Sequence, residues 1–266
     1  MAKKNYSYSV RYIAGQPAKR ILPVSECTLN DDLPIGMPLF SGSDEFGIVS
    51  WNIYKQQRPN WYSVLNQLVT NKHLILLQEA QTSPQLINFV VSQRLVADQV
   101  PAIIFPQHAS GVMTLATSNP IYCCPLREKE PLLRLPKSAL ITVYPLYDGR
   151  NLMIINIHAI NFSFGVDIYC RQLHNIGEHI RRHQGPVIFA GDFNTWSRQR
   201  INTLKHFTRS LRMKEVNFDT DDRTLIFGYP LDYVFYRGLT LLDAEVVKTE
   251  SSDHNPICAK FSIRYF

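Results

Sequence analysis

An apolar run late in the chain, Pro186-Val187-Ile188-Phe189-Ala190-Gly191, is closed by two polar residues, Asp192 and Asn194, on either side of Phe193. A buried strand that stops at a glycine can turn there, and residues two apart on an extended chain share a side, so the carboxylate and the carboxamide point into one pocket. Such a pair suits a water and a phosphate. Asp and Asn after Gly are also ordinary turn formers, and on these residues alone both readings stand. Six further polar residues, Asn52, Glu79, His158, Asp232, Asp253 and His254, fall within or next to the ends of separate apolar runs. Each has a plain explanation by itself: a strand cap for Asn52, a surface carboxylate for Glu79, a satisfied half-buried ring for His158. Together they form an oxygen-rich set with two imidazoles and no thiolate beside them, the donor chemistry that Mg²⁺ prefers. Phosphodiester hydrolysis needs charge neutralised on the nonbridging oxygens, an oriented water and a proton for the departing oxygen, and a metal, an Asp and two His can supply all three. A carboxylate partner would keep His254 cationic at neutral pH.

For these residues to meet, their strands must end on a common rim. Strand patterns cover residues 47–54, 73–79, 137–143, 152–158, 232–236, 239–247 and 257–263, with the pair 137–143 and 152–158 joined through Asp148-Gly149. Helical spacing appears in Trp61, Val64, Leu65 and Leu68 behind Pro59, and in Leu86, Phe89 and Val90 after the cap pair Ser83-Pro84. It recurs from Val166 to Ile180, ending in basic residues and Gly185 as a favourable C-terminus, and after Ser197 in Ile201, Leu204, Phe207 and Leu211. Between 102 and 143 strands are broken by prolines, and Arg127-Glu128-Lys129-Glu130 reads as a solvated turn. Residues 1–46, with turn signals at Gly15-Gln16-Pro17 and Asp32-Leu33-Pro34, read as an extended arm packed on a domain spanning 47–266. Strands and helices alternate without either of the glycine-rich phosphate loops of nucleotide-binding folds.

At 266 residues, 45% hydrophobic and 19% charged, the composition is that of a globular protein. No apolar stretch reaches membrane-spanning length and the lysine-bearing N-terminus has no secretory core, so a cytoplasmic protein is expected. Five cysteines, Cys27, Cys123, Cys124, Cys170 and Cys258, leave an odd one over and lack metal spacing, which fits a reducing compartment; the neighbours Cys123 and Cys124 read as small core residues. The net charge of +6 favours an anionic partner.

Trp51-Asn52-Ile53, Leu77-Gln78-Glu79, Asn156-Ile157-His158, Gly191-Asp192-Phe193-Asn194, Leu231-Asp232-Tyr233-Val234 and Ser252-Asp253-His254 resemble, in order, the motifs of the endonuclease/exonuclease/phosphatase superfamily. The resemblance spans about residues 48–261, and the segment Arg11-Tyr12-Ile13-Ala14-Gly15-Gln16-Pro17 looks like that of bacterial YafD-type proteins. What it implies is an α/β fold of the DNase I-like kind, a four-layer sandwich of two packed mixed β-sheets with helices on the outer faces. It also implies a divalent-metal-dependent phosphoric ester hydrolase using Mg²⁺, or Mn²⁺ in its place. By position, Glu79 would ligate the metal with Asn52 beside it and Asp253 supporting that region. Asp192 would activate the attacking water, with Asn194 orienting it; Asp232 would hold His254, whose imidazolium donates to the phosphoryl oxygen. His158 stands where relatives carry a histidine that serves the leaving group. Those relatives pair it with a Glu on the preceding strand, where this chain has Lys137-Ser138, and Lys137 becomes a phosphate contact instead.

Tyr54-Lys55-Gln56 and His158 depart from the abasic-site endonucleases, and Pro230-Leu231-Asp232-Tyr233 lacks the inositol phosphatase motif. Three readings remain. The first is a cytoplasmic nuclease or phosphodiesterase on nucleic acid, aided by Lys55, Arg58, Arg198 and Arg200, a set that equally suits a solvated rim. The second is a phosphatase or phosphodiesterase on a small-molecule or lipid phosphate, and the third a catalytically silent binding protein. None of the three calls for a membrane span or a protein partner.

Overall fold

Apolar residues run almost without a break through the central strands because both faces of each strand are covered. In the computed structural model, which describes residues 7–22, 38–39, 44–130, 136–163 and 165–264, these strands form two sheets packed face to face. In chain order the elements are β1 (Ser9–Tyr12), β2 (Lys19–Ile21), β3 (Glu45–Asn52), α1 (Trp61–Leu68), β4 (Leu74–Gln81), α2 (Pro84–Ser92), β5 (Val96–Ile104), β6 (Ala109–Ala116), β7 (Tyr122–Lys129) and β8 (Pro136–Pro145). They continue with β9 (Asn151–His158), α3 (Asp167–Arg182), β10 (Val187–Asp192), α4 (Arg198–Ser210), β11 (Lys214–Glu215), β12 (Leu225–Ile226), β13 (Tyr229–Pro230), β14 (Asp232–Arg237), β15 (Thr240–Val246) and β16 (Ile257–Ser262). Among the described residues one sheet has the order β15-β16-β3-β4-β6-β5-β1-β2 and the other β11-β14-β10-β9-β8-β7, with β12 and β13 as a separate hairpin.

Period-two alternation divides the core into layers. Ile48, Leu74, Leu76, Ile154, Ile188 and Val234 meet between the sheets. Their neighbours Val49, Trp51, Ile75 and Leu77 turn outward onto Leu65 of α1 and Phe89 of α2, while Met153, Ile155 and Phe189 pack on Leu173 and Ile176 of α3 and Leu204 of α4. Ser83 and Ser197 cap their helices, each hydroxyl accepting a backbone N–H, from Leu86 and Arg200 respectively.

Three local expectations are revised. Part of the N-terminal arm is sheet: β1 pairs with β2 and adds to β5 in antiparallel register; Cys27 and the Asp32-Leu33-Pro34 turn lie outside the described residues. Residues 127–129 are the end of β7 rather than a solvated turn, and Glu130 is buried, its Oε1 accepting the backbone N–H of Asn161 at 2.7 Å. Gly185 is not a left-handed helix cap; α3 ends at Arg182, and a Cβ at Gly185 would lie 2.0 Å from the Asn151 carbonyl oxygen, so the residue permits close backbone passage. Cys123 and Cys124 are buried, as expected of core residues; Cys258 is buried too and Cys170 is exposed.

Candidate active site

Strand register delivers the polar residues. β9 and β10 run parallel and β14 antiparallel to β10, which sets Asp192 directly between His158 on one side and Asp232 on the other. In the facing sheet the parallel pair β3 and β4 ends with Asn52 beside Gln78, one residue short of Glu79. Two backbone features make this rim. Gly191 has φ +139°, and a Cβ there would sit 2.0 Å from the Ile157 carbonyl oxygen, so only glycine lets β10 pass that close to β9. Glu79 lies in the left-handed region at φ 52°, within a register shift between Leu77 and Ala80. A side chain with a Cβ held there costs about 1–3 kcal/mol, offset by the surrounding sheet.

Asp192 is 2% exposed and is the centre of the constellation. Its Oδ2 accepts Asn52 Nδ2 at 3.0 Å and its Oδ1 accepts the Asn194 backbone N–H at 2.9 Å. His158 Nε2 lies 3.4 Å and His254 Nε2 3.9 Å from the same Oδ2. Asp232 Oδ2 meets His254 Nδ1 at 2.6 Å. Glu79 Oε1 is 3.9 Å from His158 Nε2, and Glu79 Oε2 faces Lys55 Nζ at 3.2 Å. Lys137 Nζ reaches His158 Nε2 at 2.6 Å. The structure therefore brings Asn52, Glu79, Lys55, Lys137, His158, Asp192, Asp232 and His254 together.

Three of the sequence-selected residues stand differently. Asn194 is in the left-handed region at φ 49°, so strand alternation does not carry past Asp192; its backbone N–H donates to Asp192 Oδ1 and its side-chain Nδ2 donates to the Ala159 carbonyl at 2.9 Å. Asp253 is exposed and meets Ser252 Oγ at 3.3 Å, the hydroxyl that also reaches the Asn52 carbonyl. Arg58 donates to the Ser252 carbonyl at 2.6 Å, bracing the loop before His254.

Electrostatics separate the two histidines. Burial works against the charged ring of His254, but the charge and hydrogen bond of Asp232, with Asp192 and Asp253 behind them, raise its pKa to about 10. It is a cation at neutral pH. His158 is buried among the cations Lys137, His254 and Lys55, and its pKa is held well below the ordinary value, so the ring is neutral. Burial also pushes the Asp192 carboxyl up, against the pull of His254.

The sequence reading missed the supports beneath these groups. Ser252 Oγ donates to the Asn52 carbonyl at 2.6 Å and accepts the His254 N–H at 3.2 Å, tying the last loop to β3, while Trp51 Nε1 donates to the His254 carbonyl at 2.9 Å. Gln78 Nε2 donates to Asn156 Oδ1 at 2.8 Å, pinning the two sheets together one residue below the rim. Arg200, read as part of a basic rim, is 1% exposed: its guanidinium donates to the carbonyls of Ile160, Asn161 and Asn194 and holds the loops after β9 and β10. In these cases the signal was adjacency to motif residues, since side-chain type alone does not reveal burial.

Among the described residues no three His, Cys, Asp or Glu side chains converge as a ready-made metal cage. Mg²⁺ needs none, since it commonly takes one or two carboxylates and keeps water or substrate oxygens in its other positions. Glu79 suits it: Oε2 is buried without a hydrogen-bond partner, and an ammonium already neutralises it from 3.2 Å. Asn52 Oδ1 accepts the Tyr54 N–H at 3.1 Å and retains a second lone pair beside it.

Two mixed sheets joined face to face, helices outside, with carboxylates and histidines on one rim, form an α/β sandwich of the DNase I-like class. The chain belongs to the Endonuclease/Exonuclease/phosphatase family, matched over residues 49–254. It is similar to a UPF0294 protein of Photorhabdus laumondii, 61% identical over 98% of this chain and 100% of that one, and to one of Klebsiella pneumoniae, 57% identical over 98% of each. Its fold is similar to that of the human Nocturnin catalytic domain with bound sulfate, at TM-score 0.65 and 16% identity over 86% of this chain and 97% of that one. It is also similar to D. rerio TDP2 complexed with single-strand DNA product, at TM-score 0.58 and 14% identity over 83% and 100%. Enzymes of the superfamily hydrolyse phosphate esters and in general depend on a divalent metal. No helix among the described residues is long and apolar enough to cross a membrane.

Proposed function

We propose that this protein is a Mg²⁺- or Mn²⁺-dependent phosphodiesterase acting on nucleic acid. The observation that carries the reading is Asp192 buried between a neutral His158 and a cationic His254, with Glu79 across the rim. Asp192, fixed by Asn52 Nδ2 and the Asn194 N–H, takes the proton of the attacking water. The His254 imidazolium, held by Asp232, faces the charge that develops on a nonbridging oxygen. Glu79, with Asn52 beside it, would hold the metal, which when bound supplies positive charge to the phosphoryl oxygens. Asp253 lends negative charge to His254 and would support the metal region.

A nucleic-acid substrate is supported by cations at both ends of the rim. Lys55 and Lys137 line a pocket of about 210 Å³ at the β8 side, with Phe162 on its wall. At the β14 side, Arg198 and Lys205 line a second pocket of about 500 Å³ with Tyr229 and Tyr233. Both pockets carry carboxylates as well, Glu79 and Glu130 in the first and Glu215 in the second, while exposed Phe162 offers an aromatic face on which a base can stack; TDP2, of similar fold, was crystallised with single-strand DNA product. Buried Cys123 and Cys258 outside any disulfide support a cytoplasmic location. The test is a panel of bis-p-nitrophenyl phosphate, p-nitrophenyl phosphate, and single- and double-stranded DNA and RNA with Mg²⁺ or Mn²⁺. Metal-dependent cleavage of the diester and of a nucleic acid is expected. Activity confined to the monoester would replace this reading with a small-molecule phosphatase, and inertness toward all of them with a binding protein.

A further inference from the structure

We propose that Lys137 is the proton donor to the departing oxygen, and that the pocket lined by Lys137, His158, Lys55 and Phe162 is the leaving-group site. The inference rests on the phosphodiesterase reading and adds a catalytic residue to it.

Its first basis is geometric. Lys137 Nζ and His158 Nε2 are 2.6 Å apart, close enough that one nitrogen must donate and the other accept. An ammonium carries three donors and no acceptor, whereas an imidazole protonated on Nδ1 offers Nε2 as an acceptor, so lysine is the proton-rich partner. The second basis is topological. In phosphoryl transfer the attacking and departing oxygens lie roughly in line on opposite sides of phosphorus. The strand order β14-β10-β9-β8 places Asp232, Asp192, His158 and Lys137 successively along the rim, each strand about 4.8 Å from the next. With water activated at the Asp192–His254 end, the far side of the phosphorus faces the His158–Lys137 end.

The surroundings agree. Lys137 shares its pocket with Glu79 and Glu130, whose charges, with that of Asp192, offset burial and the neighbouring charge of Lys55; the balance leaves the amine a stronger acid than a free lysine. Ile103 and Phe162 supply apolar wall for the organic part of a leaving alcohol. In the step itself, the water oxygen forms a bond to phosphorus and its proton passes to Asp192. The bond from phosphorus to the leaving oxygen breaks with its electron pair on that oxygen, which takes a proton from Lys137 Nζ. The resulting neutral amine, hydrogen-bonded beside His158, is recharged from solvent.

The experiment compares wild type, K137M and K137R on a DNA diester of ordinary oxygen linkage and on the same diester with sulfur as the bridging leaving atom. A thiolate departs without needing a proton. K137M is expected to lose roughly 10²- to 10⁴-fold in kcat on the oxygen ester, the usual contribution of a general acid, and under about 10-fold on the sulfur ester. K137R keeps the charge but cannot give up a proton, and is expected to share the selective oxygen-ester loss. Equal losses on both esters in K137R, or its full activity on the oxygen ester, would overturn the acid role while leaving the phosphodiesterase reading intact. Should K137M lose both activities together, as an unfolded variant would, K137R decides. A wild-type protein inert on both esters would overturn the phosphodiesterase reading, and this inference with it.

Discussion

Replacing Asp232 by Asn removes one charge and hardly changes shape, and its consequences can be worked through. Asp232 and His254 are 3% and 7% exposed, and their side chains meet at 2.6 Å. Because the folded pKa of His254, about 10, lies above its ordinary 6.5, the pair contributes stability that is fully present below pH 6.5. That contribution is lost progressively as pH rises through about 10. Removing one partner of a buried ion pair costs about 3–5 kcal/mol, so D232N should be destabilised by that order at pH 6, and the gap to wild type should narrow by pH 10. Burial then dominates the ring, and the pKa of His254 in D232N falls back toward its ordinary value. At pH 8 the imidazolium facing the phosphate is largely lost, for a fall in kcat of about 10²- to 10³-fold. Urea titrations at pH 6 and pH 10, with kcat against pH on bis-p-nitrophenyl phosphate, read both effects. A pH–rate profile of D232N that superimposes on that of wild type, or a stability gap that widens with rising pH, would refute the reasoning.

Two further substitutions probe the scaffold. G191A forces a Cβ to 2.0 Å from the Ile157 carbonyl oxygen at a positive φ, and should cost about 3 kcal/mol or more, a fall in Tm of roughly 6–12 °C; an unchanged Tm in a calorimetric scan would show that β10 need not pass so close to β9. R200M leaves the Ile160, Asn161 and Asn194 carbonyls without their donor and should destabilise the fold by about 2–5 kcal/mol in urea titrations. R200K should recover only part of that loss, because an ammonium cannot reproduce the planar fork; complete recovery would mean that only the charge matters.

The central strands were legible because residues such as 187–191 are apolar on both faces and end at a glycine, and the caps Ser83 and Ser197 announce their helices. The convergence of Asn52, Glu79, His158, Asp192, Asp232 and His254 was legible as a set of strand ends. What escaped were features decided by tertiary context. The left-handed turn at Asn194 ends the strand alternation beyond Asp192. The charged residues 127–129 pair with β8 as an ordinary strand end, and Glu130 is buried because it has backbone donors at Asn161 and Phe162. Arg200 sits on a helix where basic residues are usually exposed, yet three carbonyl oxygens draw it inward. Asp253, next to His254 in sequence, is exposed, and its charge favours the cationic ring.

The most direct measurement is hydrolysis of bis-p-nitrophenyl phosphate by metal-stripped protein as Mg²⁺ or Mn²⁺ is added back, in wild type and in D192N, with metal binding followed in parallel by calorimetry. The account predicts that turnover appears with the metal in wild type, and that D192N still binds metal but loses at least about 10³-fold in kcat. Turnover independent of added metal, or a D192N variant as fast as wild type, would contradict it.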